Sequence, residues 1–308
     1  MEFCLLVLSL LIGVPAIFLT WIVVQIAYVH IFSRFIKRPK DFVKAYGPWA
    51  VVTGSSDGIG KCYAFELAKR GMNIVLISNE DEKLHAVAEQ LNKNHGIETK
   101  VIIADFTQTE DEHQKIFSVL RKLDIGILVN NVGTAAGLPK SFTEMSREQI
   151  WSIMMVNMCA ATSMSHLVMP KMKSRGRGMI VNIASITAIA PAPLGALYAA
   201  SKAYIRSFSE ALEFECRGTG VHVQTVCPSF VKTNIMGNKA FDVPASAIYP
   251  LPETFVKNAV ATIGNCKSTS GCLSHDILMT AFLFLPRSAL TWIFYYIALT
   301  GARKDRRD

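Results

Sequence analysis

Apolar positions along the chain follow two rhythms. Short β-branched runs, WAVV (49–52), NIVLI (73–77), KVIIA (100–104), IGILVN (125–130), MIVNI (179–183) and HVQTV (222–226), predict six strands. Between them, CYAFELAKRG (62–71), KLHAVAEQLNKN (83–94) and YIRSFSEALEFEC (204–216) repeat apolar residues three and four apart, the spacing of one helix face. Strands that are apolar at consecutive positions and joined by helical crossovers belong in a parallel sheet covered on both faces. The pattern, which runs from about Trp49 to Cys227, therefore predicts one doubly wound α/β domain without internal repeats.

Two stretches break both rhythms by being apolar all round. Phe3–Phe32 contains no Asp, Glu, Lys or Arg, and a helix needs only about 20 such residues to cross a bilayer core. It lacks the basic leading region and small-residue cleavage site of a signal peptide, so residues 1–44 are predicted to be a retained transmembrane anchor with a basic flank. Pro15 is compatible with such a helix. The flank, with Arg34, Lys37, Arg38, Lys40 and Lys44, places the large remainder of the chain in the cytosol by the positive-inside rule. The second stretch, Ile277–Gly301 in the C-terminal segment 276–308, is interrupted by Pro286 and Arg287. Its sequence fits an interfacial or re-entrant element, a lid over a substrate pocket, or a buried helix pair better than a clean second span, and does not choose among them.

Composition agrees with a partly lipid-facing protein. Of 308 residues, 51% are hydrophobic and 18% charged, with mean hydropathy +0.30, which excludes a disordered chain. The formal net charge of +8 first raises the question of nucleic acid. Glu2 contributes −1, residues 34–44 carry +4 and residues 303–308 carry +2, leaving +3 for the whole of 45–302, and no nucleic-acid-binding signature is present. No nucleic-acid partner is expected. Seven scattered cysteines form no disulfide framework, and Cys266, Cys272 and His275 fit no standard zinc spacing, so no metal is expected either. The C-terminal KDRRD loosely resembles a dibasic signal that retains proteins in the endoplasmic reticulum membrane, although a solvated basic tail explains it equally well.

The candidate chemistry starts where the first strand ends. Thr53-Gly-Ser-Ser-Asp-Gly58-Ile-Gly60 runs directly into a helix, and glycines at 54, 58 and 60 permit a tight turn that brings a diphosphate to the helix N-terminus. The spacing differs from the general G-x-G-x-x-G fingerprint, and a Gly-rich turn alone is weak evidence. Further along lie Asn130-Asn131-Val132-Gly133, Asn157, Ser185 at a strand end, and Tyr198-Ala-Ala-Ser-Lys202. In this order the motifs resemble the short-chain dehydrogenase/reductase superfamily, whose fold is a Rossmann-type sheet, and the resemblance implies a nicotinamide-binding domain over residues 45–275. WAVVTGSSDGIGK, FELAKRGMNIVLIS, DIGILVNNVG and LPETFVKNAVATIG are similar to its membrane-bound subfamily, which contains 17β-hydroxysteroid dehydrogenase type 3 and the very-long-chain 3-oxoacyl-CoA reductases (type 12).

Tyr198 and Lys202, four apart, share a helix face, and an ammonium beside a phenol is expected to lower its pKa. The resemblance implies that Tyr198 is the general acid in ketone reduction and the base in alcohol oxidation, and that Ser185 holds the substrate carbonyl. It further implies that Lys202 grips the nicotinamide ribose and that Asn157 supports a proton relay. Gly54, Ser56, Gly58, Ile59, Gly60, Ser78, Asn79, Asp105 and Asn131 complete the expected cofactor site. Ser78 stands where NAD enzymes carry an acid, which favours NADPH/NADP+. NADH is not excluded, since Asn79 stands where NADPH-using relatives have Arg. Asp105 reads equally as a helix cap. Ser229–Pro252 is the expected substrate loop, and Pro228-Ser229 departs from the superfamily's usual Pro-Gly. The expected partners are the membrane and a small lipophilic ketone or alcohol. A 17-oxosteroid comes first, a very-long-chain 3-oxoacyl-CoA second, a non-catalytic lipid-binding role is the alternative from another class, and a homodimer remains open.

Overall fold

The protein is described from a computed structural model, which covers residues 41–305 except 109, 138 and 234–244, together with helical stretches between 9 and 28. Seven parallel strands form one sheet in the order β3-β2-β1-β4-β5-β6-β7. They are β1 Trp49–Thr53, β2 Asn73–Ser78, β3 Thr99–Ile103, β4 Ile125–Asn130, β5 Gly178–Ile183, β6 Val221–Val226 and β7 Ser268–Thr269. The six expected strands are present within a residue or so of their sequence bounds. β7 was not expected: its two residues pair with Thr225 and Val226, too short a run to show any periodicity.

Alternate residues of the buried strands feed two cores, one on each side of the sheet. Ala50 and Val52 of β1 pack with Leu67, Leu84, Leu91 and Phe255 on one side. Val51 packs with Ile116, Leu120, Met164 and Met172 on the other. The first side is covered by α1 Phe42–Tyr46, α2 Gly58–Ala68, α3 Asp81–His95 and α8 Pro252–Val260, where α8 rests on α2. The second is covered by α4 Glu110–Leu120, α6 Ala160–Arg175 and α7 Ala196–Glu215. α6 continues α5 (Arg147–Met154) through a π-helical turn, Met155–Cys159. Two helices, α9 Leu273–Leu283 and α10 Arg287–Asp305, end the chain.

Among the described residues, Arg147–Arg175 is the one helix long and apolar enough to cross a membrane, and it is a core helix. Ala161, Met164, Val168 and Met172 are buried against the sheet. Ser165 joins a buried polar network in which the Asn130 amide donates to Ser165 Oγ (3.0 Å) and Asn182 Oδ1 (2.7 Å), while Asn182 donates to Ser209 Oγ (2.8 Å). These bonds tie α6 and α7 to the centre of the sheet, as buried polar groups require. The expected N-terminal anchor lies largely outside the described residues. Its described part includes a short apolar helix over Ile12–Val24 with Ile12, Ile17, Trp21 and Val23 exposed.

Candidate active site

Strand order reverses between β1 and β4, and the expected site residues gather at the carboxyl ends of these strands, where doubly wound sheets bind ligands. The turn after β1 is held by its own backbone and by Asn131. Gly54 N–H donates to Ile77 O (2.8 Å), and the Asn131 amide donates to the carbonyls of Thr53 (2.9 Å) and Gly54 (3.1 Å). Thr53, which the motif reading left without a role, accepts from the N–H groups of Asn131 and Val132 through Oγ1, both at 3.0 Å. Gly54 and Gly58 have φ of +63° and +55°, left-handed values that L side chains rarely adopt.

Gly60 is required for a different reason. A Cβ there would stand 2.1 Å from the Gly54 carbonyl oxygen and 2.4 Å from the Asn131 amide nitrogen, so helix and turn approach as closely as they do only because it is absent. Gly60→Ala is expected to push the turn off α2 and break the Asn131 bonds. Overpacking of this kind typically costs about 1–3 kcal/mol, a fall in Tm of roughly 2–10 °C. A thermal melt alongside a dinucleotide titration checks this; wild-type values in both would contradict it.

At the end of β2, Ser78 is 6% exposed and its hydroxyl lies 3.0 Å from Ser56 Oγ. Ser56 Oγ donates to Glu80 Oε2 (2.7 Å), and Glu80 also accepts from Lys83 Nζ (2.6 Å). Lys83 and Ser56 hold the Glu80 carboxyl below the usual carboxylate range. Asn79 is exposed beside it. Glu80, two residues beyond β2, thus folds back onto the Gly-rich turn, a closure that no local motif signals. Asp105 caps its own turn after β3, accepting from Thr107 N–H and Oγ1–H, both at 2.9 Å.

The remaining residues meet at a cavity of about 460 Å³. Ser185, Tyr198 and Lys202 line it together with Ile59 and Asn131. Ser185 caps a short 3₁₀ turn just beyond β5, its Oγ accepting from Thr187 N–H (3.2 Å) and Oγ1–H (3.0 Å). Tyr198 and Lys202 stand one turn apart near the start of α7, which begins eight residues before the periodic segment that predicted it. The lowered phenol expected from that pairing is not what the arrangement produces. Burial pushes Tyr198 up to about 12, only partly opposed by its bond with Ser185. Burial also pulls Lys202 down to about 8; its ammonium donates to the Ile183 carbonyl (3.0 Å) and lies 5.7 Å from the Tyr198 ring centre. Desolvation outweighs proximity here.

Asn157 sits in the π-helical turn, 2% exposed. Its Oδ1 accepts from Thr134 N–H (2.7 Å), and its amide donates to Thr134 O and Ser201 Oγ, both at 3.0 Å. Lys202 Nζ and Asn157 Oδ1 flank Gly133, 3.4 and 3.5 Å from where a Cβ would stand.

The cavity's other walls are largely apolar and come from distant parts of the chain: Ala192 and Pro193 after β5, Phe230 and Tyr249 of the substrate loop, Phe294 and Ile297 of α10. Residues 234–244 of that loop lie outside the described residues. Ser229 also lines the cavity; its Oγ is buried with no partner among the described residues, and its N–H donates to His275 Nδ1 (3.3 Å). His275, fully buried, donates through Nε2 to Ile248 O (3.1 Å), which ties α9 to both ends of the loop. Both ring nitrogens are thus engaged, and no cluster of metal-ligating side chains occurs among the described residues.

Comparisons with known proteins agree with this geometry. The family described as short chain dehydrogenase matches residues 48–243. The human protein named inactive hydroxysteroid dehydrogenase-like protein 1 is 40% identical over 86% of this chain and 80% of its own length. Very-long-chain 3-oxoacyl-CoA reductase of Anas platyrhynchos is 42% identical over 79% and 78%, and human 17-beta-hydroxysteroid dehydrogenase type 3 is 40% identical over 83% and 80%. Among solved structures, a short-chain dehydrogenase from Sphingobium yanoikuyae in complex with NADPH superimposes with a TM-score of 0.67 at 30% identity, covering 72% of this chain and 87% of that one. With sheet order, Gly-rich turn and the Ser185, Tyr198 and Lys202 arrangement in common cause with these matches, the chain belongs to the short chain dehydrogenase family of oxidoreductases.

Proposed function

We propose that the protein is a membrane-bound, NADP(H)-dependent reductase of lipophilic ketones, with a 17-oxosteroid as first substrate class. The observation that carries this reading is the cavity itself. Ser185 and Tyr198 face a largely apolar space of a size that takes a drug-sized ligand, walled by Pro193, Phe230, Phe294 and Ile297. Relatives named for steroid and acyl-CoA substrates support it. The acyl-CoA reading is favoured by one feature, Lys232, the cation besides Lys202 among the described residues lining the cavity. A non-catalytic role, suggested by the name of the human inactive relative, is opposed by the convergence of Ser185, Tyr198 and Lys202.

The residues present fit a dinucleotide. The cradle that a Cβ at Gly60 would fill is kept open at the N-terminus of α2, and Ser78 puts no carboxylate at the end of β2. Gly54, Ser56, Gly58, Ile59, Gly60 and Asn131 would hold the diphosphate side, and Ser78 and Asn79 the adenosine ribose. Lys202 would hold the nicotinamide ribose, and Asp105 would border the adenine. When bound, the nicotinamide supplies the hydride that reduces the carbonyl carbon. Ser185 Oγ–H steadies the carbonyl oxygen as charge develops, and Tyr198 gives that oxygen its proton. Asn157 orders the backbone beside Lys202, through which the phenol is reprotonated. The apolar walls exclude water from the transfer.

Glu80 is the discordant element, a carboxylate bonded to Ser56 where a 2′-phosphate would approach. Glu80→Gln is expected to tighten NADPH roughly tenfold by removing like-charge opposition, without tightening NADH. Paired fluorescence titrations check it; equal changes for both nucleotides would contradict the placement.

The N-terminal apolar run and basic flank support an anchor in the endoplasmic reticulum membrane with the catalytic domain in the cytosol. The test of the whole reading is a screen of the full chain in lipid nanodiscs with androstenedione and a long 3-oxoacyl-CoA, each with NADPH and NADH. Tyr198-dependent NADPH oxidation with either substrate supports it, and oxidation with neither overturns it.

A further inference from the structure

We propose that the outer face of the C-terminal helix pair, α9 and α10, seats on a phospholipid bilayer, so that the helix walling the substrate cavity is also a membrane-contact surface. This deepens the reading of the cavity as a site for lipophilic substrates and rests on it. The two helices are joined by an apolar tip: Leu283, Phe284 and Leu285 are 53%, 48% and 39% exposed, followed by exposed Pro286 and Arg287. From α10, Trp292 and Tyr296 project with 59% and 62% exposure, four residues apart and therefore on one face.

The opposite face of the same helix is engaged with the protein. Leu290 and Phe294 are buried with Ala190 and Phe282, and Phe294, Ile297 and Ala298 line the cavity. Residues 292 and 294 lie about 200° apart around a helix, so α10 is apolar towards the cavity and apolar outwards, a pattern that soluble surface helices do not show. A contiguous outward apolar surface of this kind marks a binding face.

Three observations select lipid over a protein partner. Between Leu273 and Gly301 the only ionisable acids and bases apart from His275 and the tyrosines are Asp276 and Arg287. Asp276 is directed inward, accepting from Thr269 Oγ1–H (3.1 Å) and Ser270 N–H (2.7 Å), so the outer face offers a protein partner almost no charge pattern to recognise. Trp292, Tyr295 and Tyr296 cluster with ring centres 5.9–6.2 Å apart, the aromatic type that collects at the level of lipid headgroups. The sequence then closes with Arg303, Lys304, Arg306 and Arg307, complementary to the anionic headgroups of a cytosolic leaflet. The chain also carries its own uncharged run at residues 3–32, which brings the domain to such a surface.

Tryptophan emission tests this directly. The full chain with Trp21→Phe, which removes the tryptophan of the N-terminal run, is reconstituted in phosphatidylcholine/phosphatidylserine vesicles with and without acyl-chain-brominated lipid. Trp49 is buried in the domain and Trp151, exposed on α5, is common to the proteins compared, so contact of α10 with lipid predicts a further quenched component that belongs to Trp292. That component should be lost when Trp292→Phe is added, and should fall sharply in a Leu283→Glu, Leu285→Glu variant that still binds NADPH. Equal quenching with and without Trp292, or none in either, overturns the proposal. So does light scattering in nanodiscs showing two copies whose association is abolished by Trp292→Phe, because the face would then be covered by a second chain. The readout does not depend on turnover, so a failed substrate screen and a failed quenching experiment are distinguishable.

Discussion

Replacing Tyr198 by Phe is expected to lower ketone reduction by about 10²–10⁴-fold, the range typical of losing a positioned general acid. Dinucleotide affinity and thermal stability should stay close to wild type. The ring of Tyr198 fills the same space as Phe, and its burial keeps the phenol protonated far above neutral pH, so the wild-type group is a neutral, fully protonated donor throughout the working range. The sign of the pH dependence follows from its neighbour. Lys202, depressed to about 8 by burial, carries its proton below that value and loses it above, so reduction should decline as pH rises through about 8. Alcohol oxidation, in which Tyr198 must pass its own proton on to Lys202 as it takes the proton of the alcohol, should rise over the same interval as Lys202 becomes neutral. Profiles of kcat/KM in both directions check this; parallel profiles, or a Tyr198→Phe variant as fast as wild type, would remove Tyr198 from the chemistry.

Ser185→Ala is expected to cost about 10²–10³-fold in kcat, the usual effect of deleting one donor from an oxyanion site. Ser185 Oγ is a hub, taking hydrogen bonds from both the backbone and the side chain of Thr187 and bonding to Tyr198. A structural explanation therefore competes with the catalytic one. Thr187→Val separates them, because it removes one hydrogen bond to Ser185 while leaving the hydroxyl facing the substrate. The catalytic account expects Thr187→Val to lose less than about tenfold in kcat, one net hydrogen bond or so. Comparable losses in both variants, accompanied by a lower Tm, would show that Ser185 serves mainly to hold the turn.

The parts of this molecule legible in the sequence are those governed by short-range periodicity. Strands such as Ile125–Asn130 are buried at every position, and their continuous apolar runs are unambiguous. The Gly-rich turn and the Tyr198/Lys202 pair were legible because each is a local motif. What spacing could not show was the balance of desolvation against charge. An ammonium one helical turn from a phenol suggests a lowered pKa, but once both groups are buried the penalty on each charged form dominates. Long-range closures were equally hidden. Nothing local to Glu80 indicates that it bonds Ser56, 24 residues earlier, nor does anything near Phe294 place it against the cavity that Ser185 lines. The spacing of His275 from Cys266 and Cys272 raises a metal site, whereas its ring bonds Ser229 N–H and the Ile248 carbonyl, 46 and 27 residues away, and contacts Cys272 as well. β7 left no pattern because two edge residues make no period.

Hydride transfer to the substrate can be followed directly, without reliance on nucleotide consumption. The full chain in nanodiscs is supplied with NADPH deuterated at the transferable position and with androstenedione or a long 3-oxoacyl-CoA, and the product alcohol is analysed by mass spectrometry. The account predicts one deuterium on the carbinol carbon, present with wild type and absent with Tyr198→Phe. Unlabelled or absent alcohol from both ketones, in a protein that demonstrably binds NADPH, would contradict it.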